Sequence, residues 1–231
     1  MNWDGLLEAT WPKPIDNLES KQKIAAALAA QASDGDVIGI GSGSTSFLAL
    51  LALRERIHDE GLTIRAIPTS LEIESYCAAL GLPLTTLVAA APDWCFDGAD
   101  EIDRHKNMIK GRGGAFVREM LVFAAAKRRI ILADPSKFVD HLGENFSVPL
   151  AVVPEAANLV ISELSRTLGF VPQVRPAGGK DGGVINESGS LVMDLPIDSS
   201  VEPAALEATL LCTPGIAATG LFIGFDYEII S

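Results

Sequence analysis

The segment GIGSGSTS, at residues 39–46, has the composition of a phosphate-binding turn. Glycines let a backbone turn tightly and approach a ligand closely, and a helix that starts just after them offers free N–H groups and the positive end of its dipole. Ser42, Ser44 and Thr45 add hydroxyl donors. The glycine spacing differs from that of a dinucleotide-binding turn, and no Lys-Ser/Thr pair follows as in a Walker A loop. A plain strand-to-helix turn with serine caps is the alternative.

Four acidic residues are crowded into the segment WCFDGADEID, at residues 94–103. They are Asp97, Asp100, Glu101 and Asp103. Carboxylates this close need a cation or sugar hydroxyl groups between them, or they raise one another's affinity for protons. Their spacing disfavours an EF-hand calcium loop, whereas a magnesium site and a solvated acidic turn both stay open. The apolar residues before Asp97 favour a ligand site, since they place this carboxylate at the end of a buried strand.

Lys110 precedes a glycine-rich bend that opens a helix, and Glu119 lies on that helix. The residues one helical turn from Glu119 are all apolar: Ala115, Phe116, Val122 and Phe123. A glutamate surrounded by apolar side chains is poorly hydrated, which disfavours its charged form and suits a general base. The alternative is a glutamate at the edge of the buried stripe, whose carboxylate reaches water or pairs with Arg118.

A further lysine, Lys137, follows the end of a strand in ADPSKFVDHLG, where it could contact an anion or be solvated. The histidines have no metal-ligand spacing, and the chain has no nucleophile elbow, so hydrolase chemistry gains no support. Three scattered cysteines without a C-x-x-C pair suggest neither a disulfide framework nor a zinc site.

Charge disfavours two classes of partner. The 231 residues hold 18 lysines and arginines against 30 aspartates and glutamates, a net charge of −12. Nucleic acid and anionic membrane surfaces would repel such a chain. The longest apolar runs, such as Phe47–Leu53, are far shorter than a membrane span, and the amino terminus lacks the basic leader and apolar stretch of a signal peptide. We therefore expect a cytoplasmic protein.

The pattern of elements predicts an α/β fold with two domains. Helices are predicted at 16–32, 71–80, 114–127, 155–168 and 202–211. A further predicted helix contains residues 47–53. Strands are predicted at 36–41, 63–68, 94–97, 129–134, 148–153, 170–175, 183–194 and 216–222. Strands alternate with helices up to about residue 145, which indicates a mostly parallel, Rossmann-like sheet that binds ligands at the carboxyl ends of its strands.

The order then becomes β-α-β-β-α-β, the ferredoxin-like pattern of a smaller α+β domain. We predict the Rossmann-like catalytic domain at 1–144 and 214–231 and the ferredoxin-like domain at 145–213. The tail at 224–230 is expected to return to the first sheet.

Taken in this order, the four segments resemble the ribose-5-phosphate isomerase family of type A, an enzyme family of the pentose phosphate pathway. GSGST at 41–45 is similar to the family's G-T-G-S-T, and DGADEID at 97–103 to its D-G-A-D-E. KGRGG at 110–114 with Glu119 is similar to K-G-G-G…E, DPSK at 134–137 to D-x-S-K, and VINESGS at 184–190 to V-T-D-N-G-N. Ser42 stands where the family has threonine. Arg112 replaces a glycine and adds bulk and charge beside Lys110.

The resemblance implies a role for each matching residue. Glu119 would accept the proton, Asp97 and Asp100 would hold the sugar oxygens and relay protons, and Lys110 would stabilise the oxyanion. The implied substrate-binding residues are Ser42, Gly43, Ser44, Thr45, Gly98, Ala99, Gly111, Arg112, Gly113 and Lys137. The family is usually a homodimer or a dimer of dimers and needs neither a metal nor another cofactor.

The chemistry implied is an aldose–ketose isomerisation of D-ribose 5-phosphate to D-ribulose 5-phosphate through an enediol(ate). Such a reaction needs one base, acids for the oxygens and a fixed positive charge, and these residue types supply them. Three alternatives stay open: a non-catalytic sugar-phosphate sensor, an isomerase of another phosphosugar, and a magnesium-dependent phosphatase that uses the acidic segment.

Overall fold

The structure, a computed structural model, describes residues 11–231. The first residues of the chain, interpreted above as carrying no signal peptide, lie outside the described part up to residue 10. The helices are α1 (Leu18–Ala29), α2 (Ser44–Glu60), α3 (Leu71–Ala79), α4 (Phe116–Ala125), α5 (Ala157–Leu168) and α6 (Pro203–Cys212). The strands are β1 (Val37–Ile40), β2 (Arg65–Pro68), β3 (Trp94–Gly98), β4 (Glu101–Ile102), β5 (Met108–Ile109), β6 (Arg128–Leu132), β7 (Val148–Val152), β8 (Gln173–Val174), β9 (Leu191–Leu195), β10 (Ile216–Thr219), β11 (Leu221–Phe222) and β12 (Glu228–Ile230).

Packing divides the chain into two units. Within the described residues, the first unit takes in the chain up to Gly98, then Arg118–Pro135 and Asp226–Ser231, and the second takes in Ala99–Val117 and Ser136–Phe225. This grouping differs from the predicted domain boundaries because β4, β5 and β11 form a small sheet of their own, which no sequence pattern indicated. The domain boundaries at 144 and 213 stay a prediction.

The first unit is built on a parallel sheet, as predicted. Its strands lie in the order β12-β6-β3-β1-β2, and each paired neighbour runs parallel. The four residues of β1 are all buried, as expected for a parallel sheet covered by helices. The carboxyl tail returns to this sheet as predicted: Ile229 is in register with Ile131, and Arg128 forms an ion pair with Glu228 at 2.6 Å.

The second unit contains the predicted β-α-β-β-α-β order. Strands β10-β7-β9-β8 form an antiparallel sheet, which is the ferredoxin-like arrangement. Two predicted strands are shorter in the structure. The one at 183–194 is reduced to β9, because the Asn186 side-chain oxygen accepts the amides of Ser188 and Ser190 and closes a turn. The one at 170–175 is reduced to β8.

The strand predicted at 216–222 is broken at Gly220 into β10 and β11. Gly220 donates its amide to Pro149 and accepts the amide of Lys110. A side chain at this position would collide with Pro149, so only glycine lets β10 and β11 join two different sheets. No helix among residues 11–231 combines the length and the apolar character needed to cross a membrane.

The cysteines differ sharply in accessibility. Cys77 and Cys95 are buried and Cys212 is exposed. Burial raises the pKa of the Cys77 thiol to about 12, so the reactive thiolate is absent near pH 8. We expect a thiol reagent at that pH to modify one cysteine per chain in the folded protein and all three after denaturation. A second thiol reacting as fast as the first before unfolding would contradict this burial pattern.

Candidate active site

The glycine–serine turn, residues 39–46, joins β1 to α2 at the carboxyl edge of the parallel sheet. A Cβ on Gly41 would lie 2.5 Å from Asp97 Cα and 2.5 Å from its Oδ1, and a Cβ on Gly39 would lie 2.5 Å from Val122 Cγ1. Gly43 has a φ of 89°, in the region that favours glycine. Each glycine of the turn is therefore required, two by close approach to β3 or α4 and one by its backbone conformation.

This close approach brings Ser42 against two carboxylates. The Ser42 amide donates to Asp97 Oδ1 at 3.1 Å, and the amide of Gly98 donates to the same oxygen at 2.8 Å. The Ser42 hydroxyl donates to Glu119 Oε1 at 2.5 Å. Ser42, Asp97 and Glu119 form what we call the serine–carboxylate group. Its members come from the turn, from the end of β3 and from α4, 77 residues apart at the widest.

Glu119 is buried, with 5% of its surface exposed. Ala115, Phe116, Val122 and Phe123, the apolar residues one helical turn away, are buried as well. The expectation of a poorly hydrated carboxylate is therefore confirmed, and the alternative in which it reaches water is wrong. The neighbouring Arg118 points a guanidinium nitrogen at Glu74, 3.2 Å away.

Sequence reasoning missed Lys21 in α1. Its Nζ donates to Ser44 Oγ at 3.2 Å, which places a positive charge at the first residue of α2. The N-cap residue of this helix is Gly43, so no N-cap side chain forms a hydrogen bond with the first N–H groups of the helix. A cation and a helix N-terminus together suit an anion. The signal was present in the pattern, because Lys21 lies one turn before the buried residues Ile24 and Ala25 and thus on the buried face of α1.

A second set of predicted residues lies in the other packing unit. The lysine loop, residues 110–114, begins at Lys110, which is 97% buried and whose Nζ lies 5.4 Å from the centroid of the Phe222 ring. Gly111 has a φ of 103°, and a side chain there would collide with Phe116. Asp100 Oδ2 accepts the amide of Arg112 at 2.9 Å, so this carboxylate is joined to the loop.

Two cations lie around one aromatic ring in this unit. The Lys137 Nζ is 5.9 Å and the Arg112 Cζ is 5.7 Å from the centroid of Phe146. The Phe146 backbone is held by Glu101, a fully buried carboxylate that accepts the amides of Gly143, Asn145 and Phe146. Arg112 thus extends towards Phe146.

The four crowded acids have separate roles. Glu101 holds the 143–146 segment, and Asp103 accepts the amides of His105 and Asn107 and closes a tight turn. Asp97 accepts backbone amides in the first unit, and Asp100 does so in the second. Among residues 11–231 no three side chains of the histidine, cysteine or acidic type converge as a metal-binding set. Glu101 and Asp103 therefore stabilise loops, whereas Asp97 and Asp100 are the two carboxylates of this segment that are candidates for contact with a ligand.

The comparison with known proteins decides the family. The sequence model of the family ribose 5-phosphate isomerase A (phosphoriboisomerase A) matches residues 65–231 of this chain. The chain belongs to the ribose 5-phosphate isomerase A family. A ribose-5-phosphate isomerase A from Natronomonas pharaonis is 41% identical over 219 residues, covering 94% of this chain and 95% of the relative. One from Synechococcus sp. is 41% identical over 206 residues, or 88% of each chain.

The fold of this chain is also similar to that of solved structures of ribose 5-phosphate isomerase. That of isomerase A from Methanocaldococcus jannaschii has a TM-score of 0.89 at 35% identity, covering 94% of this chain and 96% of that one. A D-ribose-5-phosphate isomerase in complex with phospho-erythronic acid has a TM-score of 0.87 at 31% identity with the same coverage. The predicted fold class, a parallel α/β sheet with a second α+β part, is confirmed, and so is the resemblance to the isomerase family.

Proposed function

We propose that this chain is a ribose-5-phosphate isomerase that interconverts D-ribose 5-phosphate and D-ribulose 5-phosphate, with Glu119 as the general base. The observation that carries the proposal is the burial of Glu119 together with its 2.5 Å hydrogen bond from Ser42. A carboxylate held next to a turn suited to phosphate can act on the carbon atoms of a sugar anchored by its phosphate. Membership of the isomerase family supports the same substrate.

The reaction moves one proton between two carbons of the open-chain sugar. Glu119 takes the proton from C2, and the C–H electrons form the C1=C2 double bond while the carbonyl oxygen on C1 becomes an oxyanion. That oxygen takes up a proton, the hydroxyl on C2 loses one to become the new carbonyl, and C1 receives the proton that Glu119 holds. We assign Asp97 and Asp100 to the proton movements at the oxygens and Lys110 to stabilisation of the oxyanion.

The glycine–serine turn is assigned to the phosphate. Ser42, Gly43, Ser44 and Thr45 would bind it with hydroxyl and backbone N–H donors, and Lys21 supplies a positive charge at Ser44. Gly98, Ala99, the lysine-loop residues Gly111, Arg112 and Gly113, and Lys137 are the remaining proposed substrate contacts. The relative solved with phospho-erythronic acid, a phosphorylated sugar acid, supports a ligand of this class.

Replacing Lys21 with methionine is expected to raise KM for ribose 5-phosphate about tenfold while kcat stays near the wild-type value. The phosphate does not change during the reaction, so a lost phosphate contact weakens ground state and transition state alike. Steady-state kinetics measure the split, with Lys23→Met on the same helix as control. An unchanged KM would remove Lys21 from the substrate site.

A coupled assay of the purified protein with ribose 5-phosphate, in the presence of a chelator, tests the function. Formation of ribulose 5-phosphate supports isomerisation, while binding without turnover would show a sensor. Release of inorganic phosphate that stops in chelator would show a magnesium-dependent phosphatase. A higher kcat/KM for a different aldose phosphate would show another phosphosugar to be the substrate.

The setting of the enzyme is part of the proposal. We infer a place in the pentose phosphate pathway, a cytoplasmic location and assembly as a homodimer or a dimer of dimers. These inferences rest on the family resemblance and on the strongly acidic composition, which disfavours nucleic acid and anionic membrane surfaces as partners. Light scattering on the purified protein measures the oligomeric state.

A further inference from the structure

Arg175, which the sequence analysis did not identify as a candidate functional residue, contacts the lysine loop. It follows β8, and one of its guanidinium nitrogens, Nη1, donates to two consecutive carbonyls of the loop. The distances are 3.0 Å to Gly111 O and 2.9 Å to Arg112 O. This nitrogen therefore helps to fix the direction of two neighbouring peptide groups, and the Gly114 amide also donates to Gly111 O at 2.9 Å.

The guanidinium is itself rigidly held. Its Nε donates to Asp194 Oδ2 at 2.8 Å, and its Nη2 donates to the other carboxylate oxygen. Asp194 lies on β9, in the antiparallel sheet that also contains β8. The Arg175 backbone donates to Val192 and accepts from Val184, so its Cα is fixed as well. An arginine in a bidentate ion pair with a carboxylate has little rotational freedom left.

The direction of the carbonyls determines the direction of the N–H groups. In a trans peptide the C=O and the N–H point to opposite sides. Because Arg175 binds the carbonyls of Gly111 and Arg112, the N–H groups of Arg112 and Gly113 point away from it. The Arg112 N–H meets Asp100 Oδ2 at 2.9 Å. The Gly113 N–H is therefore directed to the same side of the loop as Asp100, at an exposed residue.

We propose that Arg175, held by Asp194, is a positioning residue that directs the Gly113 N–H and the Asp100 carboxylate towards the reacting oxygens of the sugar. This inference rests on the proposed isomerase function, in which Asp100 and the lysine loop act on those oxygens. Donors that are already aligned stabilise a developing oxyanion without reorganisation, and a shift of about 1 Å can cost roughly a hundredfold in rate. Arg175 acts through the loop and does not touch the substrate.

The test is the variant Arg175→Lys in the full-length protein. Lysine keeps the positive charge, but it cannot hold both oxygens of Asp194 in the arginine geometry while also reaching two carbonyls. We expect kcat for ribose 5-phosphate to fall roughly 10- to 100-fold with KM changed less than threefold, since the loop's donors act mainly on the transition state. Asp194→Asn, which leaves Arg175 in place but loosens it, should lower kcat in the same direction by a smaller factor.

Chemical rescue separates positioning from a general loss of structure. Arg175→Ala should regain part of its kcat when low-millimolar guanidinium chloride is added, and sodium chloride at equal ionic strength should give no gain. The control is Arg166→Ala, which removes an exposed arginine paired with Glu163 on α5 and should leave kcat and KM unchanged. If Arg175→Ala does not fold, Arg175→Lys and Asp194→Asn decide the question alone.

The outcomes separate this inference from the proposed function. Wild-type protein that does not isomerise ribose 5-phosphate overturns the proposed function, and the inference with it. Active wild-type protein together with folded Arg175→Lys and Asp194→Asn variants of undiminished kcat overturns the inference alone. A fall in thermal stability with kcat unchanged at a temperature where the variants are folded also overturns it, because that result marks a purely structural ion pair.

Discussion

Replacing Glu119 with glutamine is expected to lower kcat for ribose 5-phosphate by roughly 10²–10⁴-fold, the usual contribution of a well-placed base. Glutamine keeps the size of the side chain and an oxygen that can accept the Ser42 hydroxyl, so the fold and the substrate site should be preserved. KM should change little, because the amide removes proton transfer and not binding. Steady-state kinetics on the folded variant, verified by circular dichroism, measure the effect.

The matched control for Glu119→Gln is Glu72→Gln, which removes a carboxylate from the exposed side of α3. It should leave kcat unchanged. Glu119→Asp adds a geometric test, because it withdraws the carboxylate by one methylene and should also lower kcat severely. A folded Glu119→Gln protein with near-normal turnover would rule out Glu119 as the base.

Replacing Lys110 with methionine is expected to lower kcat by roughly 10²–10³-fold, the range found when an oxyanion-stabilising donor is lost. Lys110 is 97% buried, and methionine fills similar space without the charge. The ammonium stabilises negative charge that develops on the sugar oxygen, so the effect should fall on kcat more than on KM. The measurements are kcat at saturating substrate and kcat/KM at limiting substrate.

Lys127→Met is the control for Lys110→Met. Lys127 is largely exposed and pairs with Asp93 at 2.7 Å, so its loss should leave kcat unchanged. A Lys110→Met protein that folds and retains full kcat would show that the oxyanion is stabilised by other groups. An effect confined to KM would move Lys110 from oxyanion stabilisation to plain substrate binding.

Local sequence patterns were sufficient to predict much of the fold. The buried run of β1 and the glycines after it predicted the glycine–serine turn, because such features act within a few residues of chain. Helical periodicity indicated the apolar neighbours of Glu119 for the same reason, but it left open whether the carboxylate is buried or reaches water. The strands β4 and β5 were missed because two-residue strands are too short to show a period.

Contacts between distant residues could not be predicted in this way. Arg175 meets the lysine loop 64 residues away, and Lys21 meets Ser44 across two helices. Glu101 was interpreted as one of four crowded acids, yet it holds amides more than 40 residues along the chain. Such pairings depend on how sheets and helices pack, and the composition of either partner does not reveal them.

Isomerisation carried out in deuterium oxide tests the role of Glu119 most directly, with NMR used to locate deuterium in the product. We predict that wild-type protein places some solvent deuterium at C1 of ribulose 5-phosphate, because the transferred proton rests on a carboxyl group that exchanges part of it with solvent before C1 receives it. Glu119→Gln should lose this incorporation in step with turnover. Undiminished turnover and incorporation by a folded Glu119→Gln protein would contradict this role of Glu119.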